Sequence, residues 1–204
     1  NRVNHGFGMA CNQGASALAE PWVCFINPDV YIEPDTLSRV LVHASERPGA
    51  GLLGVELVDE RGDIDPNSRR QDVSLRALLR ARGRRDSLYV ENDGSPLQNV
   101  DAVSGALMLM PSNLYVKLGG FDESFRLHAE DLDLCRRVRE AGYEVLVAND
   151  VRALHVGAVS SRGKPFWVGW QKRRSLWRYF QKWEAEETPA YIKPLLWLGL
   201  WFNF

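Results

Sequence analysis

The chain alternates between short runs of consecutive apolar residues and longer stretches in which apolar residues recur every three or four positions. Consecutive apolar residues predict buried strands, and a period of three to four residues predicts helices that bury one face. The apolar runs are 22–26, 50–57, 100–110 and 143–148. The stretches of helical period are 9–19, 34–47, 112–118 and 130–141. Strands and helices in alternation predict an α/β fold with a mixed sheet.

Two adjacent acids, Glu130 and Asp131, begin the last of these helices. Acids in a first helical turn usually only stabilise the positive end of the helix dipole, and that interpretation stays open here. Asp131, however, lies three, four and seven positions before Leu134, Cys135 and Val138, on the face that should point to the core. Because an unpaired buried carboxylate is costly, the acidic pair is a candidate catalytic site.

Two further polar side chains follow predicted strands. Asp29 comes just after the run 22–26, at the carboxyl end of a strand where α/β sheets bind ligands, and His155 follows the run 143–148. Each has a plain alternative, a turn-forming aspartate and a hydrogen-bonded structural histidine. Together they indicate a carboxylate and an imidazole that hold a divalent ion against a diphosphate. Gly105, inside the run 100–110, would allow a ligand to approach a strand closely.

Composition narrows the class of protein. The 204 residues are 45% hydrophobic and 25% charged, which suits one globular domain with a sizeable core. A net charge of −1 argues against a nucleic-acid partner, because such proteins are usually basic. Three cysteines in apolar contexts predict buried free thiols in a reducing compartment. No secretory signal or membrane-spanning run is recognisable, so we expect a cytoplasmic location.

Two segments have an unusual composition. Residues 69–92 are rich in arginine, which predicts either a solvated helix or loop, or a mobile basic flap over an anionic ligand. Residues 166–204 hold six of the seven tryptophans, interleaved with lysine and arginine. Aromatic residues beside cations suit the inner face of a membrane, and a helix that packs its tryptophan face on the domain is the alternative.

The order and spacing of these motifs resemble the inverting family 2 glycosyltransferases of GT-A fold, and within them the bacterial rhamnosyltransferase-like branch. Each motif alone is degenerate, but five motifs in this order are specific for the family. The matching residues are Asn4, Gly6, Phe7, Asn12, Gly14, Asn27, Pro28, Asp29, Val30, 103–106, 119–123, 130–135, Arg137, Gly142, His155 and Ser160.

The resemblance implies a GT-A type, Rossmann-like fold with a mixed, mostly parallel sheet flanked by helices. The opening strands of the family domain, and the acid that grips the nucleoside, would precede Asn1, so we expect the domain to lack its first strands. Residues 1–165 are accordingly expected to form a partial GT-A glycosyltransferase domain, and residues 166–204 a C-terminal aromatic and basic helical tail.

The resemblance also implies roles for individual residues. Asp131 would be the catalytic base, and Asp29 and His155 would hold a divalent metal ion, Mg or Mn. Asn27 stands where many members have the first acid of the metal motif, so metal affinity is expected to be modest. The residues expected to contact substrate are Asn4, Gly6, Asn27, Gly105, Glu130 and Arg174.

The implied reaction moves a sugar, rhamnose or a similar one, from a nucleoside diphosphate donor to a saccharide or lipid-linked acceptor with inversion. Its setting would be cell-surface polysaccharide synthesis. A non-catalytic fragment or interaction module, which keeps the fold without binding a donor, is the alternative. A membrane surface and a second copy of the chain are further expected partners.

Overall fold

The computed structural model describes residues 6–74, 88–157 and 165–203. In these ranges six strands form one sheet: β1 (Trp22–Ile26), β2 (Val30–Ile32), β3 (Ala50–Val58), β4 (Leu97–Asn99), β5 (Leu107–Pro111) and β6 (Glu144–His155). The helices are α1 (Phe7–Ala15), α2 (Thr36–Glu46), α3 (Ser112–Lys117), α4 (Glu130–Glu140), α5 (Pro165–Trp183) and α6 (Lys193–Asn203). A short 3₁₀ turn covers Pro66–Ser68. The α/β class predicted from the sequence is confirmed.

The sheet is mixed, but it is not mostly parallel. Its order is β1-β5-β3-β6-β2, and β4 pairs with β6 outside this path. Among the pairings of the described strands only β3 and β6 run parallel, while β5 is antiparallel to both β1 and β3. A parallel pair requires a long connection, and residues 59–143 connect β3 to β6. The expectation of a mostly parallel sheet is therefore wrong for this part of the chain.

The apolar run 100–110 is not one strand. β5 begins only at Leu107, and the residues before it form an irregular segment that is nevertheless buried at Val100, Ala102 and Val103. Ala102 exchanges backbone hydrogen bonds with Arg70, at 2.9 and 3.0 Å, instead of with a neighbouring strand of the sheet. A buried loop leaves the same apolar signal in the sequence as a strand, which explains the error.

The core lies on both faces of the sheet. Successive residues of β5 point to opposite sides, so that Met108 packs with α3 and α4 whereas Leu107 packs on the side of α2. The same alternation holds in β6, where Val145 and Leu146 belong to different clusters. Helices therefore cover both faces, and the first turn of α4 is placed at one end of the sheet.

The helix α5 packs on the domain through buried polar and aromatic contacts. Tyr179 is buried in the core cluster, and the Ser175 hydroxyl donates to the backbone carbonyl of Leu127 at 2.8 Å. The indole N–H of Trp183 donates to the buried carboxylate of Asp133 at 3.0 Å. Within the described residues, none of the helices combines the length and the apolar character needed to cross a membrane.

Candidate active site

The acidic pair sits at the start of α4, after two residues with unusual backbone geometry. His128 and Ala129 have φ values of 65° and 66°, in the left-handed region that non-glycine residues seldom occupy. Such conformations cost about 1 to 3 kcal/mol each and concentrate at functional sites. The turn they make brings Glu130 and Asp131 into the first helical turn beneath the loop before β5.

Asp131 accepts three hydrogen bonds. Its Oδ2 accepts from Arg70 Nη2 at 2.6 Å and from the Gly105 backbone N–H at 3.2 Å, and its Oδ1 accepts from the Leu132 N–H at 2.9 Å. Burial raises the pKa of this carboxyl, but the charge and hydrogen bond of Arg70 outweigh burial and lower it below its usual value. The carboxylate is therefore ionised at neutral pH and able to accept a proton.

The pKa of Glu130 is shifted in the opposite direction to that of Asp131. Its side chain is buried, with 8% of the residue exposed, and among the described residues Oε2 finds no hydrogen-bond partner. Burial, and next the charge of Asp131, raise the pKa of Glu130 to about 8. Adjacent carboxyl groups with separated pKa values are a common basis for distinct roles in one site. Glu130 is accordingly a neutral hydrogen-bond donor at pH 7, beside an ionised acceptor.

Arg69 and Arg70 begin the arginine-rich segment, and neither is solvated as that composition predicted. Arg69 is buried and pairs with Glu56 and Asn149, while Arg70 bonds Asp131 and the carbonyl of Val103 at 2.5 Å. The sequence contained no signal for these distant partners. Most of the arginine-rich segment, residues 75–87, lies outside the described residues, and the predicted basic flap lies there as well.

Asp29 and His155 are neighbours. β2 pairs antiparallel with β6 so that Val30 lies opposite His155, and this register sets Asp29 Oδ1 at 3.7 Å from His155 Nε2. Asp65, which the sequence reasoning missed, lies 3.4 Å from His155 Nδ1. The hydrogen bond to Asp65 raises the pKa of His155, the charge of Asp29 adds to this, and partial burial opposes it.

Charges and hydrogen bonds relate this region to Asp131. Burial lowers the pKa of Arg70, but the charge of Asp131 and, more weakly, that of Asp65 raise it above its usual value. On the other side, the Asn27 N–H donates to the carbonyl of Ala106 at 2.9 Å, one residue after Gly105. The end of β1 and the start of α4 thus contact the same 103–106 loop, which Arg70 also contacts through the Val103 carbonyl.

The donor set of the expected metal site fits a divalent ion only in part. Within the described ranges, no group of three or more histidine, cysteine or acidic side chains is arranged to hold a metal. Asp29 and His155 still offer one carboxylate oxygen and one imidazole nitrogen at a contact distance. Two protein ligands of this chemistry suit an ion that keeps water and phosphate oxygens as its other ligands.

The remaining predicted substrate residues are spread more widely. Gly105 lies against the base, since a Cβ added there would stand 3.2 Å from the Cβ of Asp131. Gly6 precedes α1 with φ 99°, and a Cβ there would come within 2.8 Å of the Arg126 carbonyl, so packing alone explains the glycine. Arg174 is exposed on α5, with its guanidinium 5.4 Å from the ring of Trp170. Asn4 lies outside the described residues.

His128 is a further residue of the site to which the sequence gave no role. Loss of water around the ring and the charges of Lys172 and Arg70 lower the pKa of His128, whereas the charge of Asp131 raises it. The imidazole of His128 therefore interacts electrostatically with the carboxylate of Asp131. The left-handed backbone of His128 could not be predicted from the sequence, because only a few per cent of non-glycine residues adopt that conformation, although histidine does so more often than most.

The sequence is similar to those of known glycosyltransferases. The model of the family described as "Glycosyltransferase like family 2" matches residues 2–185. The N-acetylglucosaminyl-diphospho-decaprenol L-rhamnosyltransferase of Mycobacterium tuberculosis (strain CDC 1551 / Oshkosh) is 29% identical over 182 residues, 80% of this chain and 59% of the relative. The rhamnosyltransferase WbbL of Escherichia coli (strain K12) is 24% identical over 166 residues, 74% of this chain and 61% of that protein. The chain thus spans about three fifths of these relatives.

Solved structures show the same fold at low sequence identity. GalNAc-T7 with UDP, GalNAc and Mn²⁺ superposes with a TM-score of 0.63 at 12% identity, covering 91% of this chain and 36% of that one. The Pyrobaculum calidifontis mannosyltransferase PcManGT with GDP-Man and Mn²⁺ superposes with a TM-score of 0.54 at 21% identity. The superposition covers 97% of this chain and 50% of the mannosyltransferase chain. The GT-A fold expected from the motifs is confirmed. The chain belongs to the glycosyltransferase-like family 2 and is rhamnosyltransferase-like within it.

Proposed function

We propose that the protein transfers a sugar, rhamnose or a similar one, from a nucleoside diphosphate donor to a saccharide or lipid-linked acceptor, with inversion at the anomeric carbon. The observation that carries this proposal is the ionised Asp131 carboxylate, held by Arg70 at the start of α4. The names of the M. tuberculosis and E. coli relatives support rhamnose as the sugar, and the former supports a lipid-linked acceptor. The setting would be cell-surface polysaccharide synthesis.

In this mechanism Asp131 takes the proton of an acceptor hydroxyl while the hydroxyl oxygen attacks the anomeric carbon. The bond between that carbon and the diphosphate oxygen breaks, and the nucleoside diphosphate leaves. A single displacement of this kind inverts the configuration. General-base assistance contributes about 10² to 10⁴-fold in rate. Protonated Glu130, whose Oε2 has no partner among the described groups, would donate a hydrogen bond to the acceptor sugar.

The donor side of the site is formed by Asp29 and His155. These two side chains would hold Mg²⁺ or Mn²⁺, and the Mn²⁺ in both superposed structures supports this proposal. When bound, the ion would neutralise charge on the departing diphosphate. The residues that we propose as further substrate contacts are Asn4, Gly6, Asn27, Gly105 and Arg174.

The C-terminal helices offer a surface for a membrane. Trp167 and Trp170 on α5, and Trp197 and Trp201 on α6, are each about 40% exposed, which is unusual for so large an apolar side chain. Arg173 lies 5.6 Å from the ring of Trp201, so cations and aromatic rings share this surface. We propose that it contacts an anionic leaflet, which would make the protein peripheral at the inner face of the cell membrane.

The exposed aromatic surface belongs to the second of the two parts into which we propose to divide the chain. Residues 1–165 would form the partial GT-A domain, and residues 166–204 the aromatic and basic helical tail that brings it to lipid-linked acceptors. Contact of the same surface with a second copy of the chain is the rival, because exposed tryptophans are also typical of protein interfaces.

The test of the proposed function is turnover. The full-length protein is incubated with a set of nucleoside diphosphate sugars and a lipid-linked N-acetylglucosamine, with Mn²⁺ and with a chelator. We expect one donor to be consumed, loss of rate with the chelator, and a product whose anomeric configuration, read by NMR, is opposite to that of the donor. Absence of turnover with every donor, together with no binding of nucleoside diphosphates, would favour the non-catalytic module instead.

A further inference from the structure

The segment 69–72 runs between the core and the catalytic base. Arg69 has an extended backbone, so its side chain and that of Arg70 point to opposite sides. Arg69 points inward and pairs with Glu56, which is fully buried. Two backbone hydrogen bonds with Ala102 fix the main chain of Arg70. The backbone of this segment is therefore anchored by contacts other than those of the Arg70 side chain, whose guanidinium bonds Asp131 and the Val103 carbonyl.

The Arg70 guanidinium leaves one place open on the base. An ionised carboxylate offers about four lone-pair positions, two on each oxygen. Arg70 and the Gly105 N–H take both positions on Asp131 Oδ2, and the Leu132 N–H takes one on Oδ1. Among the described groups, the free position is on Oδ1, and 15% of the Asp131 side chain is exposed.

We infer that Arg70 is a positioning residue for the base, which saturates Oδ2 of Asp131 so that the remaining lone pair of Oδ1 receives the acceptor proton. This inference rests on the proposed function, because it requires Asp131 to be the base. Arg70 also donates to the Val103 carbonyl, which ties the base to the loop between β4 and β5. The arginine therefore sets both the direction of the carboxylate and its charge state.

Among the described residues, four charged or titratable groups face Asp131. Arg70 comes from the segment before the undescribed residues 75–87, His128 from the turn before α4, and Glu130 and Cys135 from α4 itself. Of these, Glu130 is proposed to be neutral at pH 7, and burial raises the pKa of Cys135 to about 12, so its thiol is neutral as well. The positive charge beside the base is then mainly that of Arg70.

The test compares the pH dependence of kcat/KM in the full-length protein and in the variants Arg70→Met, Arg70→Gln and Arg70→Lys. A cation within about 4 to 6 Å lowers the pKa of an aspartate by about 1 to 3 units. The neutral variants should therefore lose activity at a pH about 1 to 3 units higher than wild type on the acid side. Arg70→Lys keeps the charge, so its acid limb should stay near that of wild type while its plateau rate falls.

Arg139→Met is the matched control. Arg139 lies on the same helix as the base and pairs with Asp72 of the same segment at 2.6 Å, so the variant also removes one arginine from an ion pair. It should leave the acid limb in place. An unmoved acid limb in both neutral Arg70 variants, with a reduced plateau, would overturn the positioning role and leave a structural one. Wild-type rates in Asp131→Asn would instead refute the base, and with it the proposed mechanism.

Discussion

Glu130→Gln should stabilise the protein, and more so as the pH rises. Glutamine has nearly the same shape as protonated glutamic acid and cannot ionise. The wild-type carboxyl has a pKa of 4.5 when exposed and about 8 in the folded chain, where it is 8% exposed. Unfolding therefore releases a proton at any pH between these values, which favours the unfolded state of the wild type and leaves the variant unaffected.

The size of the effect follows from the pKa difference. Each pKa unit corresponds to about 1.4 kcal/mol, so the variant should gain about 1 kcal/mol at pH 5, about 3 kcal/mol at pH 7 and about 4 kcal/mol at pH 8. Because the pKa of Glu130 is raised on folding, the stability difference between wild type and variant is smallest below pH 4.5. The wild type then loses stability relative to the variant as the pH rises towards 8. A gain of about 3 kcal/mol is large against a typical domain stability of about 5 to 15 kcal/mol.

Urea unfolding of both proteins at pH 5, 7 and 8 measures these differences, with equal m-values as the check that the unfolded states are comparable. Glu60→Gln, at an exposed position, controls for the loss of one negative charge. A difference that does not change with pH would show that Glu130 is ionised in the folded protein. Lower stability of Glu130→Gln at every pH would show that the carboxylate has a stabilising partner.

Three other changes have defined outcomes. Gly105→Ala should lower kcat by about tenfold, because a new Cβ at 3.2 Å must shift the base by a few tenths of an ångström, whereas Gly14→Ala, with no heavy atom within 4 Å, should not. Glu56→Gln should lower the free energy of unfolding by about 3 to 5 kcal/mol, because it leaves a buried arginine uncompensated, and a loss below about 1 kcal/mol would contradict that pairing. Deletion of residues 190–204 should abolish co-sedimentation with anionic vesicles, and unchanged recovery in the supernatant with and without these residues would leave only a protein contact.

Local periodicity was sufficient to predict which residues belong to the candidate site. The position of Asp131 on the buried face of α4 followed from the spacing of Leu134, Cys135 and Val138, all of which are fully buried. Asp29 and His155 were placed at strand ends, and the pairing of β2 with β6 makes them neighbours. These inferences needed only the repeat of a helix or a strand and the identity of the side chain.

Contacts between residues far apart in the chain could not be predicted from the sequence. Arg70 meets Asp131 across 61 positions, and Asp65 meets His155 across 90, with no local pattern at either end. The antiparallel neighbours of β5 depend on which strands the chain brings together, and the hydrophobicity of a strand does not encode that choice. The same holds for the buried segment 100–106, whose apolar residues pack against the core without joining the sheet.

Asp131 is the proposed catalytic base, and the rate of sugar transfer by the variant Asp131→Asn measures its contribution. The amide is close in shape, and its single oxygen can accept from Arg70, while its NH2 replaces the oxygen that accepts from Leu132. The variant should be less stable than the wild type but folded, with nearly unchanged donor affinity. The amide cannot take a proton at neutral pH. We expect a fall in kcat of about 10² to 10⁴-fold with an unaltered donor dissociation constant. Transfer within a few-fold of the wild-type rate would contradict the role of Asp131 as the base.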